Sequence, residues 1–102
     1  MASPRFVIGI DLGTTNCAFA FAEIERARAL GPKAVEVFAV DQLVAAGECA
    51  PRSMLPSSLY LPGDHELPAG ALSVPWNPDA DYAVGHFAQE RGSKIPGRLV
   101  TS

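Results

Sequence analysis

The segment from Phe6 to Asn16 constrains the fold more than any other part of the chain. Its sequence, FVIGIDLGTTN, passes from an apolar stretch through an aspartate into a glycine and two threonines. Successive side chains of a strand point to opposite faces, and both faces are apolar here until Asp11. A strand of this kind is typical of the covered centre of a sheet. We therefore predict that it is central, covered on both faces, and that Asp11 lies at its buried end.

The residues that follow Asp11 predict a turn that binds phosphate. Gly13 lacks a side chain where the backbone must turn and admit a phosphate group. Thr14 and Thr15 contribute backbone N–H groups and hydroxyls, all of which could donate to phosphate oxygen. Asp11 is a suitable partner for Mg²⁺ through water, because Mg²⁺ prefers carboxylate oxygen and retains several waters. The sequence thus predicts binding of ATP with Mg²⁺, and the alternative is an ordinary hairpin with a Gly-Thr-Thr turn.

A second strand follows the turn at residues 17–23. Its large residues, Cys17, Phe19 and Phe21, alternate with alanines, so one face is small and suits close packing by another element such as a helix. This strand–turn–strand unit is not a Walker loop, because Gly-x-x-x-x-Gly-Lys does not occur in it. It is not a dinucleotide fingerprint either, because no helix is predicted directly after the turn.

The residues from Ile8 to Asn16 resemble the first phosphate-binding hairpin of the actin, sugar-kinase and heat-shock ATPase superfamily. Within it the chain is most similar to the DnaK-like seventy-kilodalton heat-shock chaperones, since Asn16 is followed by the small residue Cys17. Two further segments agree in order and approximate spacing. Residues 55–61, LPSSLYL, resemble the chaperones' Thr-Pro-Ser and strand, and residues 83–88, AVGHFA, resemble their Val-Gly-x-x-Ala. The long, proline-rich stretch between them indicates a divergent member.

The resemblance implies an α+β fold, namely part of a ribonuclease-H-like (actin-like ATPase) lobe. We expect an antiparallel meander of three strands, at residues 5–11, 17–23 and 35–40. The connection at 24–33 carries either a short helix at 23–30 or a flexible excursion. Further along we predict short strands at 57–61 and 82–84 that pair, and a helix at 85–91 that stops at Gly92.

We divide the chain into two parts near residue 50. Residues 1–50 would hold the phosphate-binding hairpin and the third strand. Residues 51–102 contain seven of the nine prolines and would form a peripheral subdomain. The family's catalytic lysine is expected beyond Ser102, and Lys94 is interpreted as a solvated loop residue. We therefore expect the chain to be the N-terminal part of a longer protein and to be inactive on its own.

The function implied by the resemblance is that of a molecular chaperone whose ATP hydrolysis drives the binding and release of unfolded peptide. Asp11 would be the catalytic and metal-binding residue, and Gly13, Thr14, Thr15 and Asn16 would contact the phosphates. Unfolded clients and co-chaperones would bind through other parts of the protein. Two alternatives share the same hairpin: a carbohydrate kinase, and an actin-like protein that binds nucleotide and forms filaments.

Composition narrows the other possibilities. The net charge is −3 without a basic patch, which argues against a nucleic-acid partner. No apolar run is long enough to span a membrane and no signal peptide is present, which indicates a cytoplasmic location. Cys17 and Cys49 are expected to be free thiols, with Cys49 in a loop. Trp76 is interpreted as a hydrophobic plug under a long loop, or alternatively as part of a binding surface. Open sheet edges favour self-association of the chain.

Overall fold

A computed structural model describes residues 3–95 and 97–101. Residues 1, 2, 96 and 102, which the two predicted parts include, lie outside the described residues. The described chain combines helices with mostly antiparallel sheets, so the predicted α+β class is confirmed, while the ribonuclease-H-like lobe stays a prediction. The elements in chain order are β1 (Phe6–Leu12), β2 (Asn16–Glu23), α1 (Ile24–Leu30), a 3₁₀ helix (Gly31–Ala34), β3 (Glu36–Val37), β4 (Val40–Ala45), β5 (Glu48–Arg52), β6 (Met54–Pro56), β7 (Ser58–Tyr60), β8 (Ala83–Val84), α2 (His86–Gly92) and β9 (Leu99–Thr101).

The first sheet is built on the β1–β2 hairpin. The two strands pair antiparallel along their whole length, from Phe6 opposite Glu23 to Leu12 opposite Cys17. The other edge of β2 pairs with β3 at one end and with β6 at the other. The predicted meander of three strands is therefore confirmed, although its third strand is shorter than the predicted range 35–40.

The connection between β2 and β3 is helical. The Ile24 N–H donates to the Arg5 carbonyl oxygen at 2.8 Å, so the chain leaves the hairpin directly into α1. The helix ends at Leu30, and the next residue, Gly31, has a positive φ of 61°, which glycine adopts readily. Of the two alternatives for this connection, the short helix is the one found.

The small face of β2 is only partly covered. Ala22, at its end, is buried, as is Ala34 of the 3₁₀ helix, whereas Ala18 and Ala20 of β2 are half-buried.

The hairpin of β4 and β5 was not predicted. Its strands pair antiparallel around a turn at Gly47, where φ is 68°. Cys49 therefore lies in a strand rather than in the predicted loop, and both Cys17 and Cys49 are free. The predicted division near residue 50 falls within β5, so strand pairing joins the two halves there. The roles assigned to the two parts stay predictions.

The third sheet has the order β8-β7-β9, with β7 in the centre and both neighbours antiparallel to it. The predicted pairing of the two short strands is confirmed by Leu59 opposite Val84 and Tyr60 opposite Ala83. β9 is an addition that the sequence did not predict. The predicted helix is confirmed as α2, which follows Gly85 and has Gly92 as its last residue.

The hydrophobic core is formed by β4 together with elements of the second half of the chain. It packs one face of α2 against β4, β7 and β8 and includes one residue of the proline-rich loop, Leu72. Tyr60 and Phe87 meet edge to face at its centre, with ring centroids 6.2 Å apart. The buried side chains in contact are Leu43, Tyr60, Leu72, Ala83, Phe87 and Ala88. Trp76 is 60% exposed, so the interpretation as a buried plug is wrong: Ala71 and Leu72 hold the loop down instead.

The covered position predicted for the first strand is also wrong. β1 is an edge strand of its sheet in the described chain, and every residue in it is exposed. Ile8 and Ile10, for example, are 69% and 60% exposed. The radius of gyration of 16.9 Å exceeds the ~13 Å of a compact domain of this length, in keeping with a hairpin that projects from the core.

One buried polar side chain ties three elements together. Gln42 in β4 is 2% exposed. Its Nε2 donates to the Met54 carbonyl oxygen at 3.0 Å, and its Oε1 accepts the His86 N–H at 2.8 Å. Gln42 thus fixes β6 and caps the first turn of α2, which has no other side-chain cap among the described residues.

A second polar cluster lies beside the core. The Tyr60 hydroxyl donates to Glu66 Oε2 at 2.6 Å, and the Gly63 N–H donates to the same oxygen at 3.0 Å. The Tyr60 hydroxyl bond, helped by the Gly63 amide and the Arg98 guanidinium, lowers the pKa of Glu66 against the opposing effect of desolvation. Burial, together with the Glu66 carboxylate, raises the pKa of Tyr60.

Replacing Gln42 with leucine tests how much the buried amide contributes to stability. Gln42→Leu leaves the part-buried His86 N–H and Met54 carbonyl without this partner, and each unpaired group costs about 1–3 kcal/mol. We expect a loss of about 2–4 kcal/mol in the free energy of unfolding, measured by urea denaturation. Gln89→Leu on the exposed face of α2 is the control and should change little. Equal effects of the two substitutions would contradict the assigned role.

The lowered pKa of Glu66 predicts an acid-sensitive fold. In the folded state the pKa of the Glu66 carboxyl lies below its ordinary value of 4.5. The unfolded state therefore binds more protons than the folded state at acidic pH. The stabilising contribution is present above that value and is lost as the pH falls through the lower pKa of the folded state. Urea denaturation from pH 7 to pH 3 should show a weaker pH dependence for Glu66→Gln than for the unaltered chain. Glu48→Gln, at an exposed strand position, should leave the pH dependence unchanged.

Candidate functional site

The predicted phosphate-binding residues form the tight turn between β1 and β2. The Gly13 N–H donates to the Asn16 carbonyl oxygen at 3.1 Å, which closes the turn. A Cβ on Gly13 would overlap that same carbonyl oxygen, so the turn requires glycine here. Asn16 is half-buried at the start of β2 and pairs with Pro56 of β6.

Ser57 holds this turn from the other side. Its hydroxyl donates to the Gly13 carbonyl oxygen at 2.8 Å, and its backbone N–H donates to the Thr15 carbonyl oxygen at 2.9 Å. The Cys17 sulfur lies 3.6 Å from the Ser57 hydroxyl oxygen and can donate to it. Two backbone carbonyls of the turn thus point toward Ser57 and are satisfied.

The satisfied carbonyls leave the opposite groups of the turn free. Thr14 and Thr15 are exposed. Within the described chain, neither their backbone N–H groups nor their hydroxyls donate a hydrogen bond. A fixed turn that presents several free N–H and O–H donors to solvent suits an anion with several oxygens, such as a phosphate chain.

Asp11 lies close to the turn in sequence but is not where it was predicted. It is the sixth residue of β1, opposite Ala18 of β2, and it is exposed rather than placed at a buried strand end. Because the strand is an open edge, the carboxylate is solvated and needs no partner to be stable. It forms no ion pair or hydrogen bond with any other described residue. Asp11 therefore remains accessible to a hydrated cation.

The donor set fits a metal ion held mainly by water and phosphate. Residues 3–95 and 97–101 contain no group of three or more His, Cys, Asp or Glu side chains that could hold a metal directly. Mg²⁺ bound to a nucleotide does not need such a group, because phosphate oxygens and waters fill most of its coordination sphere. A single exposed carboxylate beside the predicted phosphate-binding turn is compatible with that arrangement.

The structure brings together two motifs that are far apart in sequence. The segment 55–61, quoted above for its resemblance, contains Ser57 and lies against the turn at 13–16. The role of Ser57 was not predicted. It depends on the pairing of Asn16 with Pro56 in β6, and a strand of three residues is too short to show a periodic pattern in the sequence. The third motif lies against the second: the N–H of Gly85, which precedes α2, donates to the Ser58 carbonyl oxygen at 3.1 Å.

Lys94 is exposed after the end of α2, as interpreted from the sequence. It borders a cavity of about 190 Å³ that is also lined by Val44, Phe87 and Arg91, and no residue of the 13–16 turn lines that cavity. Lys94 is therefore not part of the candidate site.

Comparison with protein-family models, with curated proteins and with solved structures gives no match to this chain. Among the residues that the structure describes, no helix has the length and apolar character needed to cross a membrane.

Removing the Ser57 hydroxyl should loosen the turn. Ser57→Ala eliminates the bond to the Gly13 carbonyl, and we expect a loss of about 1 kcal/mol in the free energy of unfolding. Amide hydrogen exchange at Gly13 should accelerate as well, because the turn opens more often. Ser58→Ala is the matched control, since that neighbouring hydroxyl makes no hydrogen bond within the described residues. Equal exchange rates in the two variants would show that Ser57 does not hold the turn.

Proposed function

We propose that this chain is the N-terminal, phosphate-binding part of an ATP-hydrolysing molecular chaperone of the DnaK-like heat-shock type. The observation that carries the proposal is the turn at residues 13–16. Its carbonyls are held by Ser57, while the free donors of Thr14 and Thr15 face solvent. Residues 8–16 resemble the chaperone hairpin, and this resemblance indicates that the ligand of the anion site is ATP.

The roles of the site residues follow from charge and geometry. The amides and hydroxyls of Thr14 and Thr15 would donate to phosphate oxygens, with Gly13 and Asn16 keeping the turn in shape. Hydrogen bonds to charged groups contribute roughly 1.5–3 kcal/mol each, so three or four are compatible with micromolar binding. Asp11 would hold the water shell of Mg²⁺ or orient the attacking water. Mg²⁺ would neutralise negative charge on the phosphates. Phosphoryl transfer depends chiefly on such charge stabilisation and on positioning of the reacting groups.

The rest of the chaperone cycle depends on parts of the protein other than this chain. ATP hydrolysis would drive the binding and release of unfolded polypeptide, with co-chaperones acting elsewhere on the molecule. The ribonuclease-H-like lobe and the cytoplasmic location belong to the same proposal. No role for nucleic acid or membrane is proposed. The 102-residue chain by itself should not turn over ATP, because the second lobe and the lysine that the resemblance implies lie outside it.

ATP turnover by the full-length gene product, with and without an unfolded peptide and beside a panel of sugars, tests the proposed function. Slow turnover that the peptide stimulates and sugars leave unchanged is the expected result. Turnover that requires one sugar would replace the chaperone with the carbohydrate kinase. ATP-dependent filaments without peptide stimulation would favour the actin-like alternative. Turnover by the pure 102-residue chain would refute its proposed dependence on a second lobe.

A substitution at Gly13 tests the turn itself. Gly13→Val should abolish ATP binding in the full-length protein, because its Cβ overlaps the Asn16 carbonyl oxygen and forces the turn open. Gly9→Val is the matched control: a Cβ there meets only the Ala20 carbonyl oxygen at 4.0 Å, an ordinary contact. Binding is measured by calorimetry with Mg²⁺ present. If the Gly13→Val and Gly9→Val proteins bind ATP with equal affinity, the turn is not part of the nucleotide site.

A further inference from the structure

A cavity of about 340 Å³ lies between β4, β8 and the proline-rich loop that joins β7 to β8. Its inner wall includes the buried core residues Leu43, Leu72 and Ala83. The segments that form it are internal to the chain, and β9, on the other edge of the sheet that contains β8, does not border it. Sites for small molecules commonly have volumes of about 300–1,000 Å³, with apolar walls and a few polar groups.

Trp76 borders this cavity on a closed turn of the loop. The Val74 N–H donates to the Asn77 carbonyl oxygen at 3.3 Å, and the Asn77 N–H donates to the Val74 carbonyl oxygen at 3.0 Å. Between these two residues lie Pro75 and Trp76, and the proline ring restricts the backbone of the turn further. The indole is thus presented on an ordered backbone although it is 60% exposed. Of the two interpretations of Trp76 from the sequence, this arrangement favours a binding surface.

The charge at the cavity is negative. Among the described residues that line it, Asp41 is the one with a charged side chain, and it forms no ion pair or hydrogen bond with another described residue. Asp79 and Asp81 lie in the same stretch of loop and add to the negative potential. Arg52, across the hairpin from Val40, donates to the Pro51 carbonyl oxygen and does not line the cavity. This distribution of charge attracts cations and repels anions.

We propose that the cavity binds a small organic ammonium ion whose nitrogen carries apolar groups. Asp41 would balance the positive charge, and the indole of Trp76 would offer its negative face to the same charge. Tyr82, which also lines the cavity and is 43% exposed, would provide a second ring. The apolar wall would contact the groups around the nitrogen. None of the nucleotide-site residues takes part, so this proposal stands independently of the proposed function.

Other ligand classes fit the lining less well. An uncharged apolar molecule would displace water from Asp41 without giving the carboxylate a partner. A metal ion would require several oxygen or nitrogen ligands, and the part of the chain that the structure describes has no group of three or more His, Cys, Asp or Glu side chains that could supply them. An organic ammonium ion uses the carboxylate, the aromatic rings and the apolar wall together.

The fluorescence of Trp76 tests this proposal directly, because it is the single tryptophan of the sequence. The probes are choline and its uncharged analogue of the same shape, 3,3-dimethylbutan-1-ol, added to the 102-residue chain without nucleotide and at constant ionic strength. We expect choline to change the emission saturably, with a dissociation constant of roughly 1–10 mM, as one cation–π contact and one exposed ion pair would give. The uncharged analogue should bind at least about fivefold more weakly.

Substitutions separate the contributions of the ring and the carboxylate. Trp76→Leu should weaken choline binding about fivefold or more, and Asp41→Asn about threefold or more, both measured by NMR of the choline methyl signal. Phe38→Leu, which removes an exposed ring outside the cavity, and Glu48→Gln, which removes an acid of the same hairpin outside it, are the matched controls. Both test residues are exposed, so circular dichroism should be unchanged.

Three results would overturn the proposal. The first is equal binding of choline and its uncharged analogue, which would make the cavity an apolar pocket without selectivity for charge; this comparison uses the unaltered chain and needs no variant to fold. The second is choline binding that Trp76→Leu and Asp41→Asn leave as strong as the two controls do. The third is binding that the 102-residue chain shows and the full-length gene product lacks, since the cavity would then be covered in the whole protein.

Discussion

The position of the candidate site depends on one buried amide, that of Gln42. The core cluster contains only apolar side chains and Tyr60, so apolar packing contributes few directional bonds to the elements around it. Gln42 cannot shift without losing the bond to His86 at the start of α2 or the bond to Met54 in β6. Since a buried polar group without a partner is costly, the amide fixes α2 and β6 relative to β4. β6 in turn pairs with β2 and precedes Ser57, so the geometry of the turn is set from the core through this side chain.

The distribution of burial shows why the turn needs such a support. The buried apolar residues lie between positions 43 and 88, apart from Ala22 and Ala34 at the base of α1. The hairpin that carries the candidate site has few buried contacts of its own, and segments of that kind open at lower free energy than a core does. Ser57 contributes two hydrogen bonds to the turn at the point where the hairpin meets the rest of the chain. A phosphate bound by Thr14 and Thr15 would add to the same turn from its other side.

Local patterns in the sequence were sufficient for part of the fold. The alternation in residues 17–23, the turn at Gly13 and the helix ending at Gly92 each depend on residues close together in the chain, and each was predicted. β4, β5, β6 and β9 were missed for different reasons. β4 and β5 form a local hairpin, but β4 has no regular alternation and β5 contains Pro51. β6 has only three residues, and β9 pairs with the distant β7. Periodicity correctly showed that β1 is apolar on both faces, but it contains no information on whether those faces are covered. Trp76 shows the same limit of sequence reasoning. Its size suggested that it is buried, but in the structure Leu72 of the same loop is buried and Trp76 is exposed. Of the site, the turn residues were predictable from chemistry, whereas Ser57 required the tertiary pairing of Asn16 with Pro56.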